Sequence, residues 1–575
     1  QGSNSQALAS LTQATEIEEA ILAENLLIGS EQQKQQFLDK FDFSTNYTIS
    51  FHLQTLPQQE NAARLALTTL LRRKGRVLDA MGRALRTLRD QLDPTSQQLF
   101  AQLASTQTQL ANLSARPGNL QQTQDQRKQL AEKIDSLQAQ LSQRSAAFAQ
   151  ETTPVTISAV QDAIPQDAAL IEFIQYSPYD PKTEEYDAPR YAVYVLQPDG
   201  TLQWRDLGDA ATINQKAQCL NNLLNQSKGR GVGAVPVVEG CDTNRQTPNL
   251  ENVRAVAREL DEITMAPVRE LIGEATHLLL SPDSELNLVP FAALVDEQNQ
   301  YLVERYQITY LTSGRDLLRV QYRDQPPQES LMLAYPDYDD QGILAQTSET
   351  ESNPTVATVP ENERGRRSSE LTALEFSALP GTLAEAEALE PMIDDLALFT
   401  EEQASENTLK QWQRPRILHL ATHGFFLSSQ TQENQENPLL RSGLALAGFN
   451  ERQSGDEDGV LTALEVTGLN LRGTRLVVLS ACETGVGETR AGEGVYGLRR
   501  AFTLAGAESQ LMSLWNVSDE GTKELMVAYY QRLLDGEGRG EALRQVQLEM
   551  LQDEERSHPF YWAAFIPSGA WTPLD

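Results

Sequence analysis

The sequence predicts an α/β protein with a mostly parallel sheet flanked by helices, preceded by an all-α domain at its N-terminus. Two observations support this fold class. Residues 1–155 are poor in glycine and rich in Gln, Ala, Leu and Glu, a composition typical of long helices. From Ala168 onward, short apolar runs alternate with amphipathic runs, which indicates strands and helices in alternation.

The helical part shows apolar residues three and four positions apart across 67–85 and again across 130–141. Pro117-Gly118 separates the second helix from the one before it, so we expect an antiparallel helical hairpin. A basic cluster interrupts the first run, and it comprises Arg72, Arg73, Lys74 and Arg76.

The strands of the α/β part are predicted from runs of β-branched, aliphatic and aromatic residues. The first is 168–176, and 190–207 reads as a hairpin turning at Pro198-Asp199-Gly200. Later strands are predicted over 278–280, 331–333, 417–421, 476–480 and 510–514. The runs 417–421 and 476–480 lead into small residues and glycine, as buried parallel strands do.

Two polar segments interrupt the alternation. Residues 336–377 are rich in Ser, Thr, Glu and Asn, and we expect a mobile loop there. This loop carries Arg364, Arg366 and Arg367, where a protease specific for basic residues could cut itself; a tolerated insertion is the favoured interpretation. A second polar insertion covers 428–437.

Composition excludes several function classes. The net charge of −33 argues against nucleic acid as a partner and suits a protein partner or a basic substrate, although a well-solvated acidic surface is the favoured interpretation. No apolar stretch approaches the ~18 residues that a membrane span needs. The chain begins with Gln1 and shows no basic-then-apolar leader, so a fragment or a processed form is expected.

The three cysteines, Cys219, Cys241 and Cys482, are too few for a disulfide framework. The first two could each be an inert thiol, or they could form a bond with each other. None of the five histidines stands at zinc-ligand spacing from a cysteine, so no metal is expected.

The chemistry that stands out is a histidine and a cysteine at the ends of two predicted strands. His423 follows the run 417–421, and Cys482 follows the run 476–480. Parallel strands place ligands beyond their carboxyl ends, so an imidazole and a thiol would meet on one rim. Because an imidazole can convert a thiol into the nucleophilic thiolate, the pair is a candidate cysteine-hydrolase dyad.

Several blocks of sequence resemble the CHAT domain of the caspase–separase superfamily, in order, over residues 160–575. They are LLLSPDSELNLVPFAAL, YLVERYQITYLTSGRDLL, LPGTLAEAEAL, RILHLATHG, RLVVLSACETG, AGEGVYGLRRAF, SLWNVSDEGT and HPFYWAAFIPSG. The spacing of His423 and Cys482 is similar to that of caspases, whose histidine lies roughly 50 residues before the cysteine.

This resemblance implies a caspase-like sheet in which residues 156–335 form a pseudo-caspase-like half and residues 378–575 a catalytic half, with the loop 336–377 between them. Relatives often carry tetratricopeptide repeats ahead of the protease. No ~34-residue repeat is visible here, so such an array could have been removed. Residues 1–155 would then serve as a scaffold or bind a regulatory protein partner. The resemblance also leads us to expect a bacterial, cytoplasmic protein.

The implied activity is that of a cysteine endopeptidase acting on protein or peptide substrates, without metal or organic cofactor. His423 would be the general acid/base and Cys482 the nucleophile, and the N–H groups of Gly424 and Cys482 would form the oxyanion hole. By analogy with separases, Asp519 would bind an arginine before the scissile bond. The alternative for Asp519 is to cap a helix, and the alternative for the protein is a catalytically silent scaffold.

Two other motifs resemble functional sites, but they are weaker evidence than the histidine and the cysteine. Gly492, Gly494 and Gly497 spell GxGxxG, with Asp519 about 20 residues further on, as in a dinucleotide site. These glycines do not follow a strand directly, and we expect them to let a helix over 495–505 pack on the sheet. His419 and His423 share a strand face, but HLATH lacks the glutamate of a metalloprotease motif, so His419 is predicted to be packed rather than metal-bound.

Overall fold

A computed structural model describes most of the chain. The described residues are 2–90, 93–115, 120–148, 154–180, 182–225, 241, 250–320, 328–340, 371, 374–427, 437–481 and 484–574. Cys482, Pro117-Gly118, and the arginines at 364, 366 and 367 therefore lie outside the described residues.

Helices make up nearly all of the N-terminal region and cover both faces of the sheet further on. They are α1 Gly2–Asn25, α2 Glu31–Leu38, α3 Asp42–Ser50, α4 Glu60–Arg73, α5 Arg76–Asp90, α6 Pro94–Ala115, α7 Leu120–Phe148, α8 Ile157–Asp162, α9 Ala210–Asn225, α10 Leu250–Arg269, α11 Leu302–Arg305, α12 Asp316–Val320, α13 Pro380–Leu389, α14 Glu406–Gln411, α15 Ala463–Val466, α16 Leu498–Ala505, α17 Asp519–Leu534, α18 Arg539–Gln552 and α19 Pro559–Trp562.

The strands begin after α8, as the composition predicts. They are β1 Ala168–Tyr176, β2 Tyr179–Asp180, β3 Glu185–Tyr186, β4 Arg190–Leu196, β5 Leu202–Asp209, β6 His277–Ser281, β7 Gln307–Tyr310, β8 Ser330–Pro336, β9 Leu396–Glu401, β10 Ile417–Ala421, β11 Gly424–Phe426, β12 Ser442–Ala445, β13 Val460–Thr462, β14 Leu476–Ser480, β15 Glu488–Arg490, β16 Gly494–Tyr496, β17 Ser509–Ser513 and β18 Phe565–Gly569.

One large sheet organises the α/β part, in the order β5-β4-β1-β6-β7-β18-β17-β14-β10-β8-β9. Most neighbours are parallel; β1–β4, β4–β5 and β17–β18 are antiparallel. The predicted fold class, a mostly parallel sheet flanked by helices behind a helical N-terminal region, is confirmed. The sheet runs without a break from the earlier to the later strands, because β18 lies between β7 and β17. The proposed division at residues 335 and 378 stays a prediction.

The central strands are buried on both faces, which explains their continuous apolar sequences. All five residues of β10 and of β14 are buried. Ile417 and Val478 belong to one apolar core, and Leu418 and Leu479 belong to the core on the opposite face. Because side chains alternate between two cores, these strands are almost entirely apolar; β14 has its polar residue at its end, and His419 is the one polar side chain inside β10.

The helical region packs directly on this sheet. Helices α6 and α7 lie against each other, as expected of a helical hairpin. Leu137 and Leu141 of α7 belong to the same core as Leu418 of β10. The N-terminal region is therefore continuous with the hydrophobic core of the α/β part.

The basic cluster between α4 and α5 is buried rather than exposed. Three of its arginines pair with acidic residues of α1: Arg72 with Glu16 at 2.8 Å, Arg73 with Glu18 at 2.7 Å and Arg76 with Glu19 at 2.9 Å. These pairs hold α1 against the α4–α5 corner.

Lys74 joins this corner to the sheet. Its Nζ lies 3.2 Å from Oε2 of Glu172 in β1 and donates to the carbonyl of Phe173 at 2.9 Å. It also donates to the carbonyl of Ser281, at the end of β6, at 2.8 Å. Both Lys74 and Glu172 have fully buried side chains. A buried ammonium is tolerated only when its donors are satisfied, and here they meet oxygens of Glu172 and Phe173, within β1, and of Ser281, at the end of β6.

The sequence did not decide whether Cys219 and Cys241 are bonded to each other. Cys219 of α9 and Cys241 form a disulfide, with their Cα atoms 5.6 Å apart.

Among the described residues, no helix is both long and apolar enough to cross a membrane.

The Lys74 contacts predict a large effect on stability. Lys74→Met should lower the free energy of unfolding by about 3–5 kcal/mol, because it leaves the Glu172 carboxylate buried without its partner. Denaturant unfolding followed by circular dichroism measures this change. Lys128→Met is the matched control, since Lys128 is 77 % exposed and should change stability by less than about 0.5 kcal/mol. Equal unfolding midpoints for Lys74→Met and wild type would contradict the account.

Candidate active site

The site is built on two neighbouring parallel strands. β10 and β14 pair in register from Ile417 opposite Leu476 to Ala421 opposite Ser480. The pairing continues one residue further, because the N–H of Thr422 donates to the carbonyl of Ser480 at 3.3 Å. Both strands therefore end at the same edge, and His423 follows directly at that edge.

Cys482 and Glu483 are outside the described residues, but the residues on either side of them are described. On the near side, Ser513 Oγ donates to the carbonyl of Ala481. On the far side, the N–H of Ser513 donates to Thr484 Oγ1 at 3.1 Å, and the N–H of Gly485 donates to the Ser513 carbonyl at 2.7 Å. Ser513, the last residue of β17, thus binds the chain both before and after Cys482.

One ring nitrogen of His423 is engaged by the backbone. Its Nε2 lies 3.0 Å from the carbonyl oxygen of Ser377. A carbonyl oxygen can only accept, so Nε2 carries the hydrogen and Nδ1 carries the lone pair. The nitrogen available to take a proton from another group is therefore Nδ1.

Two aromatic rings fix the plane of the imidazole. Phe376 stacks on His423 with centroids 4.4 Å apart and planes at 14°, and Tyr338 packs at 5.4 Å. Burial lowers the pKa of His423, although the hydrogen bond to Ser377 opposes the shift. Since the ordinary value is about 6.5, the imidazole is neutral at pH 7 and able to act as a base.

The segment that carries Phe376 and Ser377 is itself held in place. The N–H of Phe376 donates to Asn450 Oδ1 at 2.9 Å, and Asn450 Nδ2 donates back to the Phe376 carbonyl at 2.9 Å. On the other side of the imidazole, the hydroxyls of Tyr338 and Thr422 lie 2.9 Å apart. These contacts orient the ring before any ligand binds.

Gly424 begins β11 and lies opposite Leu444 of β12. The carbonyl of His423 accepts from the N–H of Ala445 at 2.9 Å, which anchors the turn from β10 into β11. The predicted role of Gly424 in an oxyanion hole depends on Cys482 as well, so it stays a prediction.

Asp519 is the first residue of α17, beyond β17, which pairs with β14. The helix cap is Ser518, whose Oγ accepts from the N–H of Gly521. The Asp519 carboxylate is exposed and forms no ion pair with a described residue. Partial burial raises the pKa of Asp519, and the nearby charge of Glu385 adds to this rise.

A buried network supports the end of β14 from beneath. Ser480 Oγ donates to Oε2 of Glu385 at 2.9 Å, and Oε1 of Glu385 lies 2.9 Å from Nε2 of His419. Nδ1 of His419 lies 2.9 Å from the hydroxyl of Tyr530. His419 is thus a packed histidine with partners of its own, and it shares no ligand site with His423.

Gly492 and Gly494 lie in the β15–β16 hairpin, and Gly497 follows β16 at the N-terminus of α16. Gly492 and Gly494 have φ of +74° and +79°, which favours glycine, and the helix that follows begins at Leu498 rather than at residue 495. The carbonyl of Gly492 accepts from the N–H of Gly75 at 2.8 Å. The motif therefore builds a hairpin that contacts the helical region.

Among the described residues, one group of carboxylates is close enough to hold a metal, namely Glu406, Glu457 and Glu465. Nζ of Lys410 lies 3.0 Å from each of the three. The lysine ammonium occupies the position of a cation, and the group is an ion-pair cluster away from His423.

Five residues of the site were not expected from the sequence: Tyr338, Phe376, Ser377, Glu385 and Ser513. The signal for Ser513 and Glu385 was present, because both lie within blocks quoted for the resemblance. No local pattern marks Phe376 and Ser377, which come at the end of the long polar segment.

The CHAT domain model matches residues 254–570. Because the match covers more than half of the chain, the protein belongs to the CHAT domain family. Two curated relatives are tetratricopeptide repeat protein 28 of Homo sapiens, 24 % identical over 397 residues, and of Mus musculus, 25 % identical over 394 residues. Each alignment covers 62 % of this chain, and the chain spans about 15 % of the length of these relatives.

Among solved structures, the chain is similar to the Saccharomyces cerevisiae separase–securin complex, with a TM-score of 0.39, 11 % identity, and coverage of 98 % of this chain and 40 % of that chain. It is also similar to the Arg-specific cysteine proteinase gingipain R, with a TM-score of 0.32, 10 % identity, and coverage of 62 % and 74 %.

The stacking of Phe376 predicts a measurable change at His423. Phe376→Ala should raise the pKa of His423 toward about 6.5, because the ring that buries the imidazole is removed. Titration of the histidine side-chain NMR signals measures this pKa. Phe399→Ala, in β9, removes an aromatic ring that packs on Trp412 instead and should leave the pKa unchanged. A wild-type pKa at or above 6.5 would contradict the account.

Proposed function

We propose that the protein is a cysteine endopeptidase with His423 as general acid/base and Cys482 as nucleophile. The observation that carries the proposal is the register of β10 and β14, together with the orientation of the imidazole by Ser377. His423 and Cys482 are separated in sequence by the same interval as the paired residues Ile417 and Leu476. Membership of the CHAT family supports the same assignment.

In the proposed reaction, Nδ1 of His423 takes the proton of the Cys482 thiol, and the thiolate attacks the carbonyl carbon of the scissile peptide. The N–H groups of Gly424 and Cys482 stabilise the oxyanion that forms. Collapse of the tetrahedral intermediate breaks the C–N bond, and His423 gives its proton to the leaving amine. Water, activated by His423, then hydrolyses the thioester and regenerates the thiol.

Asp519 is proposed to select substrates with a basic residue before the scissile bond. Its exposed carboxylate has no cationic partner among the described residues, and it lies beyond the strand next to β14. An arginine guanidinium matches a carboxylate through two parallel hydrogen bonds. The acidic charge of the whole chain would also attract basic substrates.

The proposed activity also implies a class of substrate and a class of partner. Substrates are proteins or peptides, and the helical region of residues 1–155 offers a surface for a regulatory protein partner. A cytoplasmic location and a bacterial source stay predictions; the two curated relatives named above are mammalian. If the dyad proved inactive, the fold would instead serve as a scaffold for protein partners.

Substitution of the dyad tests the reaction directly. Cys482→Ala should abolish cleavage of a randomised peptide library read by mass spectrometry, and His423→Ala should reduce it by about three orders of magnitude or more, since the two groups act as a unit. Cys241→Ala should retain most activity because this sulfur forms a disulfide with Cys219. His419→Ala should act mainly through stability. A folded Cys482→Ala protein that still cleaves would overturn the assignment.

Substitution of Asp519 tests specificity separately. Asp519→Asn should lower kcat/KM for substrates with Arg before the scissile bond by about 10–100-fold, because a charge-assisted pair is lost, and should affect neutral substrates less. Glu520→Gln is the control, since the neighbouring Glu520 is 77 % exposed and pairs with Arg556. A preference for aliphatic residues in wild type would remove Asp519 from the pocket while leaving the dyad intact.

A further inference from the structure

A group of arginines outside the candidate active site is short of negative charge. It consists of Arg76, Arg83 and Arg86 of α5, Arg315 and Arg319 at α12, and Arg499 of α16, and we refer to it as the arginine cluster. Helices α5 and α16 pack against each other, and α12 follows β7 at its carboxyl end. The cluster therefore lies where the helical region meets the edge of the sheet.

Only three carboxylates of the described residues pair with these six arginines. Glu19 lies 2.9 Å from Arg76, and Asp316 lies 2.8 Å from Arg319. Asp79 is shared, at 3.2 Å from Arg83 and 3.5 Å from Arg315. No ion pair links Arg86 or Arg499 to a described carboxylate. In a chain with a net charge of −33, this local excess of positive charge is unusual.

Several buried donors of the cluster point at no acceptor. Among the described residues, Nε of Arg76, Nε of Arg315 and both terminal nitrogens of Arg499 have no hydrogen-bond partner. The three residues are 5 %, 4 % and 6 % exposed. A buried charged donor that lacks an acceptor destabilises a protein more than a neutral one does. We therefore expect a ligand to supply the acceptors for these donors.

The electrostatics agree with this shortage. Burial lowers the pKa of Arg76 to about 10, and the charge of Arg315 adds to that effect. Burial also lowers the pKa of Arg86 to about 10, and here Arg319 adds to it. Burial lowers the pKa of Arg499, although the nearby charge of Asp316 opposes the shift. The arginines repel one another, and a bound anion would relieve that repulsion.

The position of the cluster suits a ligand. The guanidinium of Arg499 lies 5.8 Å from the ring of Tyr310, the last residue of β7. In open α/β sheets, ligands bind beyond the carboxyl ends of the strands. Arg83 is 38 % exposed and Arg319 is 23 % exposed, so the cluster is open to solvent on one side.

We propose that the arginine cluster is a binding site for a small polyphosphate anion. Guanidinium forks match phosphate oxygens in pairs, and several charges on one compact ligand fit donors that come from three helices. The acidic surface elsewhere would repel an extended nucleic acid, whereas a short phosphate chain meets only the local field of the cluster. This site is independent of the proposed protease activity.

Inorganic tripolyphosphate is the first probe, tested with the full chain by isothermal titration calorimetry and by thermal unfolding. Wild type should bind it at one site, and the unfolding temperature should rise with its concentration. Sodium sulfate at matched ionic strength should shift the unfolding temperature much less. ATP and adenosine test whether a nucleoside is part of the ligand. Equal affinity for ATP and tripolyphosphate identifies the phosphate chain as the ligand, and tighter binding of ATP identifies a nucleoside triphosphate.

Variants of two arginines of the cluster locate the site. Arg86→Gln and Arg319→Gln should each weaken tripolyphosphate binding by about 10-fold or more, because each removes a charge-assisted hydrogen bond. Arg205→Gln is the control, since Arg205 of β5 is 47 % exposed, pairs with Glu270 and lies outside the cluster. The absence of binding to wild type, or binding that both cluster variants retain in full, would overturn the proposal.

A buried variant adds a second criterion. Arg499→Met should raise the unfolding temperature in anion-free buffer, because an unpaired buried charge is replaced by an apolar chain. The same variant should lose most of the gain that tripolyphosphate gives to wild type. A lower unfolding temperature in anion-free buffer would show that Arg499 already has its counter-charge, and the site as described would be wrong.

Discussion

Parallel pairing of β10 with β14 is the constraint on which the site depends. The two strands share one register over five residues and are buried on both faces, so their polar continuations can emerge only at the carboxyl edge. Ser513 of the next strand binds the chain on both sides of Cys482, and Ser480 is held from beneath by Glu385. These contacts hold the residues on either side of Cys482 at the carboxyl edge, where a nucleophile and its base would need fixed positions.

Orientation of His423 adds a second constraint that comes from far along the chain. Ser377 lies 46 residues before His423, yet its carbonyl determines which ring nitrogen is protonated. Asn450 fixes that segment through the backbone of Phe376. The tautomer of His423 is therefore determined by a tertiary contact, and burial favours the neutral form of its imidazole.

Sequence patterns predicted the strands well where the chain is continuously apolar: β1, β10 and β14 have the expected bounds. They also predicted that His423 follows β10 and that Asp519 comes after the strand next to β14; the roles of both residues stay predictions. Patterns could not reveal the contacts of Phe376 and Ser377, which arise from packing between distant segments. They also could not reveal that the basic cluster of Arg72, Arg73, Lys74 and Arg76 is buried with partners from α1 and β1. Burial of a charge depends on a partner that local sequence does not name.

The central claim is that the edge formed by β10 and β14 activates one thiol of three. Incubation of the folded protein with a peptide acyloxymethyl ketone that ends in arginine, followed by intact-mass measurement and peptide mapping, tests it most directly. The account predicts one adduct per chain, on Cys482, with Cys219 and Cys241 unmodified because they are bonded to each other. Labelling of Cys482 only after denaturation would contradict it.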